Sequence, residues 1–203
     1  MGYSKYKKLK VVTQKFGLSA QLYSLFEVIP SRAPSSWLAK TLEMGYLSPI
    51  TNEKSKSERL VSPILLEAIT EFAKQISLFS GEEININKAD NLAGPCDFFF
   101  AFTPPMPYME APIISLVEAK DEDMEWGLAQ CAAQVYAAHL LNLQEGKNLP
   151  ILYGCATTGV EWQFFKFENN TFYIDKMPMT DLPQVLGTWH WILNFYVTNF
   201  KQD

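Results

Sequence analysis

The chain has 203 residues, of which 48% are hydrophobic and 19% charged, and its formal net charge is −5. This length suits one compact domain with an additional N-terminal segment, and it allows a sizeable core without disulfide or metal staples. The negative charge argues against bulk electrostatic attraction to nucleic acid, although a carboxylate metal site adds negative charge that bound cations cancel.

Residues 1–57 are predicted to form an N-terminal helical extension. An amphipathic helix is expected over residues 11–28, and Pro30 with the Ser- and Pro-rich run after it ends that helix. A short helix with Ser36 as its cap is expected over residues 37–44. The polar stretch at 51–57 has the composition of a linker.

Residues 58–203 form the second predicted unit, in which helices and strands alternate. Apolar residues at helical spacing predict a long helix over residues 58–78. Further helices are predicted over 124–143 and 182–199, and strands over 83–87, 97–103, 113–119, 151–156, 161–167 and 172–175, the last two as a hairpin. This order predicts an α/β fold with a central mixed β-sheet flanked by helices on both faces.

The cysteines and the hydropathy pattern bear on the compartment. Three cysteines are present, Cys96, Cys131 and Cys155, and no CxxC pair occurs. An odd number without close pairs is typical of reduced thiols in a cytoplasmic protein, and it argues against a zinc ribbon or a disulfide framework. No uncharged apolar stretch approaches 18 residues, so we expect neither a signal peptide nor a membrane span.

Three charged residues stand beside otherwise apolar runs. Asp97 begins the Phe-rich run DFFFAFT, and Glu118 and Lys120 follow the apolar run IISLV. Glu118 and Lys120 are two residues apart, so on a strand they point to the same face. If the strands at 97–103 and 113–119 pair as an antiparallel hairpin, Asp97 lies near Glu118. Because a buried charge is costly unless it is paired or binds metal, this pattern indicates a functional site.

Phosphodiester hydrolysis needs this set of side chains. Two carboxylates can hold one or two Mg²⁺ or Mn²⁺ ions, which prefer oxygen ligands. We therefore predict Asp97, Glu118 and the carbonyl of Ala119 as metal ligands. A lysine beside the metal can orient the attacking water or stabilise developing charge, which is the role predicted for Lys120. The alternative is a solvated strand end with Asp97 capping a turn.

Asp97 and the Glu-Ala-Lys triplet at 118–120 resemble the D…(D/E)xK signature of the PD-(D/E)XK nuclease superfamily. The core order of that superfamily, helix–strand–strand–strand–helix–strand, is similar to the order predicted between residues 58 and 156. The resemblance implies a restriction endonuclease-like core. The proline of the signature is displaced, since Pro95 is followed by Cys96 before Asp97. Blocks such as LAGPCDFFFAF and APIISLVEAK are also similar to a group of bacterial proteins, common in cyanobacteria, from which no function carries over.

The resemblance also implies that an acid from the first helix and a glutamine from the next one contact the site. Glu58 is the preferred acid and Glu67 the second candidate, each with an ordinary exposed helical glutamate as its alternative. Gln130 is the preferred glutamine and Gln134 the second. These two glutamines are four residues apart, so they share one helix face. Amides that bond only to neighbouring backbone are the alternative for both.

These observations predict a Mg²⁺- or Mn²⁺-dependent nuclease with DNA as the expected substrate, and they do not separate DNA from RNA. No glycine-rich phosphate loop is present, which argues against ATP use. A homodimer or a partner protein is left open. The alternative function is a nuclease-fold module that binds nucleic acid or regulates another protein with little or no catalysis, and the negative net charge favours it.

Overall fold

The protein is described by a computed structural model that covers residues 2–26 and 28–200. The α-helices of this part are α1 (Leu9–Phe16), α2 (Ser36–Gly45), α3 (Glu53–Lys56), α4 (Ser62–Ile69), α5 (Met124–Gln144) and α6 (Leu182–Asn199). Its strands are β1 (Ser19–Tyr23), β2 (Ser77–Ser80), β3 (Glu83–Asn87), β4 (Leu92–Pro95), β5 (Phe98–Ala101), β6 (Ile113–Ala119), β7 (Ile151–Thr157), β8 (Trp162–Glu168) and β9 (Thr171–Asp175). A 3-10 helix covers Tyr3–Lys5, and a π-helical turn at Ser57–Val61 joins α3 to α4.

Seven strands form one mixed sheet in the order β1-β9-β8-β7-β6-β5-β2, and β3 and β4 form a separate two-stranded sheet. Strands β2, β5 and β6 are antiparallel neighbours, β6 and β7 are parallel, and β8 and β9 continue as an antiparallel hairpin. The long helix α5 connects the parallel pair, as such a crossover requires. The predicted α/β class with a mixed sheet is confirmed.

The aromatic residues of β8 show that helices cover both faces of the large sheet. Phe164 packs against Trp189 of α6, with ring centroids 5.1 Å apart. Phe167 points to the opposite face, where its ring lies 6.0 Å from that of Tyr136 on α5. Because side chains alternate along a strand, α5 and α6 must lie on opposite faces. Strand β6 lies between these layers, and all seven of its residues are buried.

The predicted helix over residues 58–78 was wrong in its second half. Helix α4 ends at Ile69, a series of turns follows, and residues 77–80 form β2 at the edge of the large sheet. Phe72 and Ile76 remain buried, so the helical spacing of apolar residues continues although the backbone has left the helix. The strand predicted at 83–87 exists as β3, but it pairs with β4, for which no strand was predicted.

The N-terminal region also contains more than helices. The helix predicted over 11–28 ends at Phe16, where Gly17 adopts the left-handed conformation with φ of 65°. Strand β1 follows and pairs in parallel with β9, which joins this region to the large sheet. Helix α2 is present as expected, but Ser35 caps it, with its hydroxyl accepting from the Leu38 amide. The boundary after residue 57, between an N-terminal extension and a second unit, stays a prediction.

No helix in the described ranges has the length and apolar character that crossing a membrane requires. Cys96, Cys131 and Cys155 are buried free thiols.

Candidate active site

The pairing of β5 with β6 brings the three predicted site residues together. The two strands are antiparallel, with Phe98 opposite Val117. Continuing this register by one residue puts Asp97 opposite Glu118, on the same side of the sheet. Asp97 Oδ2 accepts a hydrogen bond of 2.8 Å from the Ala119 amide, which fixes its carboxylate at the end of β6. The predicted adjacency of these two strands is confirmed.

Glu118 is only 1% exposed, and both of its carboxylate oxygens have donors. Lys120 Nζ donates to Oε1 over 2.6 Å, and Gln134 Nε2 of α5 donates to Oε2 over 2.7 Å. The Asp97 carboxyl group lies close enough to Glu118 for the two acids to interact electrostatically. Charge-assisted bonds of this length compensate for part of the cost of burying the carboxylate.

Lys120 is held by groups from four elements. Besides its bond to Glu118, its Nζ lies 3.4 Å from Oε2 of Glu53 on α3, and its own amide donates to the Thr157 carbonyl over 2.8 Å. The ammonium also lies 5.3 Å from the ring centroid of Trp126 on α5, a cation–π contact. The side chain is only 8% exposed. A buried lysine in such contacts is well placed to act on a bound group.

The pKa values of Asp97, Glu118 and Lys120 reflect a site with more acidic than basic groups. Burial first, and then the neighbouring Asp97 carboxylate, raise the pKa of Glu118 to about 8. Burial also raises the pKa of Asp97 above its ordinary value, although the Ala119 amide opposes the shift. Burial acts to lower the pKa of Lys120, but the surrounding carboxylates outweigh it and the pKa is raised. A buried and a half-buried carboxyl group beside one ammonium form a site that favours an additional cation.

The two predicted glutamines have different surroundings. Gln134 is fully buried and bonds Glu118, so it belongs to the cluster. Gln130, one turn earlier on α5, is 9% exposed, and its Oε1 is buried without a hydrogen-bond partner among the described residues. The structure therefore brings the second candidate to the acids and not the preferred one.

Of the two predicted helical glutamates, Glu58 lies at the site cavity. A cavity of about 380 Å³ is lined by Asp97, Glu53 and Glu58, together with Lys54, Ser57, Ser62, Ser80 and Phe98. Glu58 is exposed and its nearest cation is Lys54, 3.8 Å away. Glu53 lies on α3 and Glu58 on the π-helical turn that follows it, and both line this cavity.

Glu67 lies elsewhere. Its two carboxylate oxygens accept from the amide and the hydroxyl of Ser35, over 2.7 and 2.8 Å. It therefore ties α4 to the beginning of α2, and it lines a different cavity from the one beside Asp97.

Glu53 was not predicted, because residues 51–57 are polar and carry no apolar periodicity. A signal was nevertheless present in Asn52, a favoured N-cap residue three positions before Ser55. In the structure the Asn52 side chain accepts from the Ser55 amide and the Ser55 hydroxyl accepts from the Asn52 amide, which starts α3. Lys56 then bonds Asp121, one residue after Lys120, and this contact holds α3 over the end of β6.

The described residues contain no group of three or more His, Cys, Asp or Glu side chains arranged to hold a metal ion. Mg²⁺, by contrast, is commonly bound through one or two carboxylates, with waters and substrate phosphates completing its shell. Asp97 and Glu118 fit that mode of binding.

A larger cavity of about 650 Å³ lies between the Pro-rich loop after β5 and the end of α5. None of Asp97, Glu118 and Lys120 lines this larger cavity. The candidate site is therefore identified by its side chains and not by the size of its cavity. The chain matches no protein-family model and no curated protein.

Proposed function

We propose that this protein hydrolyses phosphodiester bonds with the help of Mg²⁺ or Mn²⁺, with DNA as its substrate. The observation that carries the proposal is the contact of Asp97, Glu118 and Lys120 at the paired ends of β5 and β6. Two carboxylates and a buried ammonium on one face are the groups that metal-assisted phosphodiester hydrolysis requires.

The strand topology supports the same proposal. Along the chain, α4, β2, β5, β6, α5 and β7 follow in the order helix–strand–strand–strand–helix–strand. The second of these strands lies between the first and the third and is antiparallel to both, and the fourth is parallel to the third. This order is the one implied by the resemblance to the PD-(D/E)XK nucleases, and β3 and β4 are an insertion between its first two strands.

The carboxylates of Asp97 and Glu118, with the Ala119 carbonyl, would hold the metal ion, which supplies charge neutralisation and acidifies a bound water. Lys120 would donate to the attacking water or to a phosphate oxygen. Gln134 of α5 orients the Glu118 carboxylate by donating to its Oε2, and Glu53 holds the Lys120 ammonium near the cavity.

A second function is favoured by the formal net charge of −5. This charge suits a nuclease-fold module that binds nucleic acid or regulates a partner with little catalysis.

Cleavage assays separate the two functions. Purified protein with Mg²⁺ or Mn²⁺ is expected to cut DNA, and Lys120→Ala is expected to lower kcat by about 10²–10³, the cost of losing one charge-stabilising donor. Lys166→Ala is a matched control, because Lys166 bonds Glu168 two residues away over 2.7 Å, as Lys120 bonds Glu118. Single-stranded, double-stranded and branched DNA, and RNA, should each be tested.

If all four substrates stay intact with both metals, the catalytic proposal is wrong and the binding module takes its place. Equal rates for wild type and Lys120→Ala would also contradict it. Circular dichroism establishes that both lysine variants are folded before their rates are compared.

A further inference from the structure

The N-terminal segment concentrates positive charge in an otherwise acidic chain. Five of the 17 basic residues lie within the first 15 positions, and the first acidic residue of the sequence is Glu27. Four of these lysines, Lys5, Lys7, Lys8 and Lys10, are exposed and form no ion pair with a described residue. We call these four the basic segment. The fifth, Lys15, is paired with Asp90 over 3.2 Å.

Two buried tyrosines fix the basic segment to the body of the protein. Tyr3 is 2% exposed and Tyr6 is 3% exposed. The Tyr3 hydroxyl donates to the Ile84 carbonyl over 2.6 Å, and the Tyr6 hydroxyl donates to the Asp90 carbonyl. Both acceptors belong to β3 or to the turn after it. The lysines between and after these anchors are therefore presented from a defined backbone.

The basic segment adjoins the candidate active site through Trp126. The Lys7 ammonium lies 5.1 Å from the Trp126 ring centroid, and the Lys120 ammonium lies 5.3 Å from the same centroid. The two ammonium groups are thus separated by about 10 Å at most. One strand of duplex DNA carries a phosphate about every 3.4 Å along the helix axis, so this distance corresponds to roughly three nucleotides.

We infer that the basic segment binds the phosphate backbone of the DNA and directs a strand toward Lys120. This inference rests on the proposed nuclease function. It resolves the difficulty of the net charge of −5, because a local basic surface supplies the phosphate contacts that the chain as a whole does not. A lipid surface is the less suitable partner, since Tyr3 and Tyr6 are turned inward and cannot insert into a bilayer.

The salt dependence of binding measures these contacts directly. The test variant is Lys5→Gln/Lys8→Gln/Lys10→Gln, which leaves Lys7 and its contact with Trp126 in place. The control variant is Lys40→Gln/Lys74→Gln/Lys176→Gln, which removes the same charge at exposed positions outside the segment. Fluorescence anisotropy with a labelled 20-base-pair DNA, with Ca²⁺ in place of Mg²⁺, gives the affinity at several salt concentrations.

If each of the three lysines contacts one phosphate, the slope of log K against log salt should become shallower by about 2.7 in the test variant. The control variant should keep the slope of the wild type. Equal slopes in all three proteins would overturn the inference, and so would binding to phosphatidylserine vesicles in preference to DNA.

The two proposals fail in different ways. If the wild type cleaves DNA and the test variant binds and cleaves like the control, the basic segment is not the DNA-binding surface and the nuclease proposal stands. If the wild type neither binds nor cleaves DNA or RNA, both proposals are wrong.

Discussion

Glu118 is unusual among the buried side chains of this protein. Both of its oxygens already accept hydrogen bonds, from Lys120 and Gln134, and it lies beside a second carboxyl group. A purely structural buried acid is normally paired with a base and kept apart from other acids. Burial first, and then the additional acid, raise the pKa of Glu118, and two acids beside one ammonium would favour a bound divalent cation.

Single substitutions can establish which helical glutamate supports the site. Glu53→Gln removes the carboxylate beside the Lys120 ammonium, and we expect kcat for DNA cleavage to fall about tenfold, or roughly 1.4 kcal/mol in activation free energy. Glu67→Gln weakens only the contacts with Ser35, so we expect the rate to be unchanged and the free energy of unfolding to fall by at most about 1 kcal/mol.

Steady-state rates and urea unfolding of both proteins provide the comparison. The opposite result, with Glu67→Gln slowed and Glu53→Gln unaffected, would exclude Glu53 from the site.

The first turn of α5 is packed tightly against the candidate catalytic lysine. A Cβ atom added at Gly127 would lie 2.9 Å from Cγ of Lys120, so Lys120 would have to move. Alanine is also the better helix former, by about 0.5–1 kcal/mol. We therefore expect Gly127→Ala to change the free energy of unfolding by less than about 1 kcal/mol while lowering kcat at least tenfold, a change of about 1.4 kcal/mol.

Gly187 in α6 provides the contrasting helical glycine. A Cβ atom there would lie 2.2 Å from the backbone oxygen of Pro30, which cannot rotate away. Gly187→Ala should therefore lower the free energy of unfolding by about 1–3 kcal/mol while the folded protein keeps its kcat. Thermal unfolding and cleavage rates measured on both variants test this. Normal activity in Gly127→Ala would mean that the position of Lys120 is not critical.

The elements that carry the site were predictable because each has a strong pattern. Strand β6 is apolar except for Ser115 and Glu118 and is followed directly by Lys120, and α5 and β7 follow at the lengths that a parallel crossover needs. Strand β2, with only the sequence SLFS, has no such pattern, and burial of Phe72 and Ile76 imitates a longer helix before it. Strand β1 has five exposed residues and thus no alternation to detect.

The candidate site was predictable to the extent that its residues adjoin those strong elements. Asp97, Glu118 and Lys120 stand at the ends of apolar strands, and their contact follows from antiparallel pairing. Glu53 and Trp126 could not be assigned, because their contacts with Lys120 depend on how α3 and the first turn of α5 are oriented. Such orientations arise from tertiary packing and leave no periodic signal in the sequence.

At the scale of the whole molecule, the charges are separated. The candidate site gathers Glu53, Glu58 and Asp97 around one cavity. The basic segment gathers four lysines, of which Lys7 contacts the same tryptophan, Trp126, as Lys120. An acidic chain with such a separation can bind a polyanion at one surface while it holds a cation at another. The stability of the fold should then depend on whether the acidic cluster is neutralised by protons or by metal.

The pH dependence of the free energy of unfolding tests whether neutralising the acidic groups stabilises the fold. Glu118 has an ordinary pKa of 4.5 and a folded-state pKa of about 8. Below pH 4.5 its carboxyl group is protonated in both states and contributes nothing to the pH slope. Between these two values the folded state keeps a proton that the unfolded state has lost. The free energy of unfolding should therefore decrease as pH rises through this window, by up to about 1.4 kcal/mol per pH unit, and level off above pH 8.

Urea unfolding at pH 5, 6, 7 and 8 measures this slope in the wild type and in Glu118→Gln, which lacks the titrating group. The wild type should lose stability relative to Glu118→Gln as the pH rises. Because a bound cation favours the ionised carboxylate, saturating Mn²⁺ should reduce the loss in the wild type and have little effect on the variant. Parallel pH profiles for the two proteins would mean that Glu118 titrates normally. An equal Mn²⁺ effect on both would place metal binding away from Glu118.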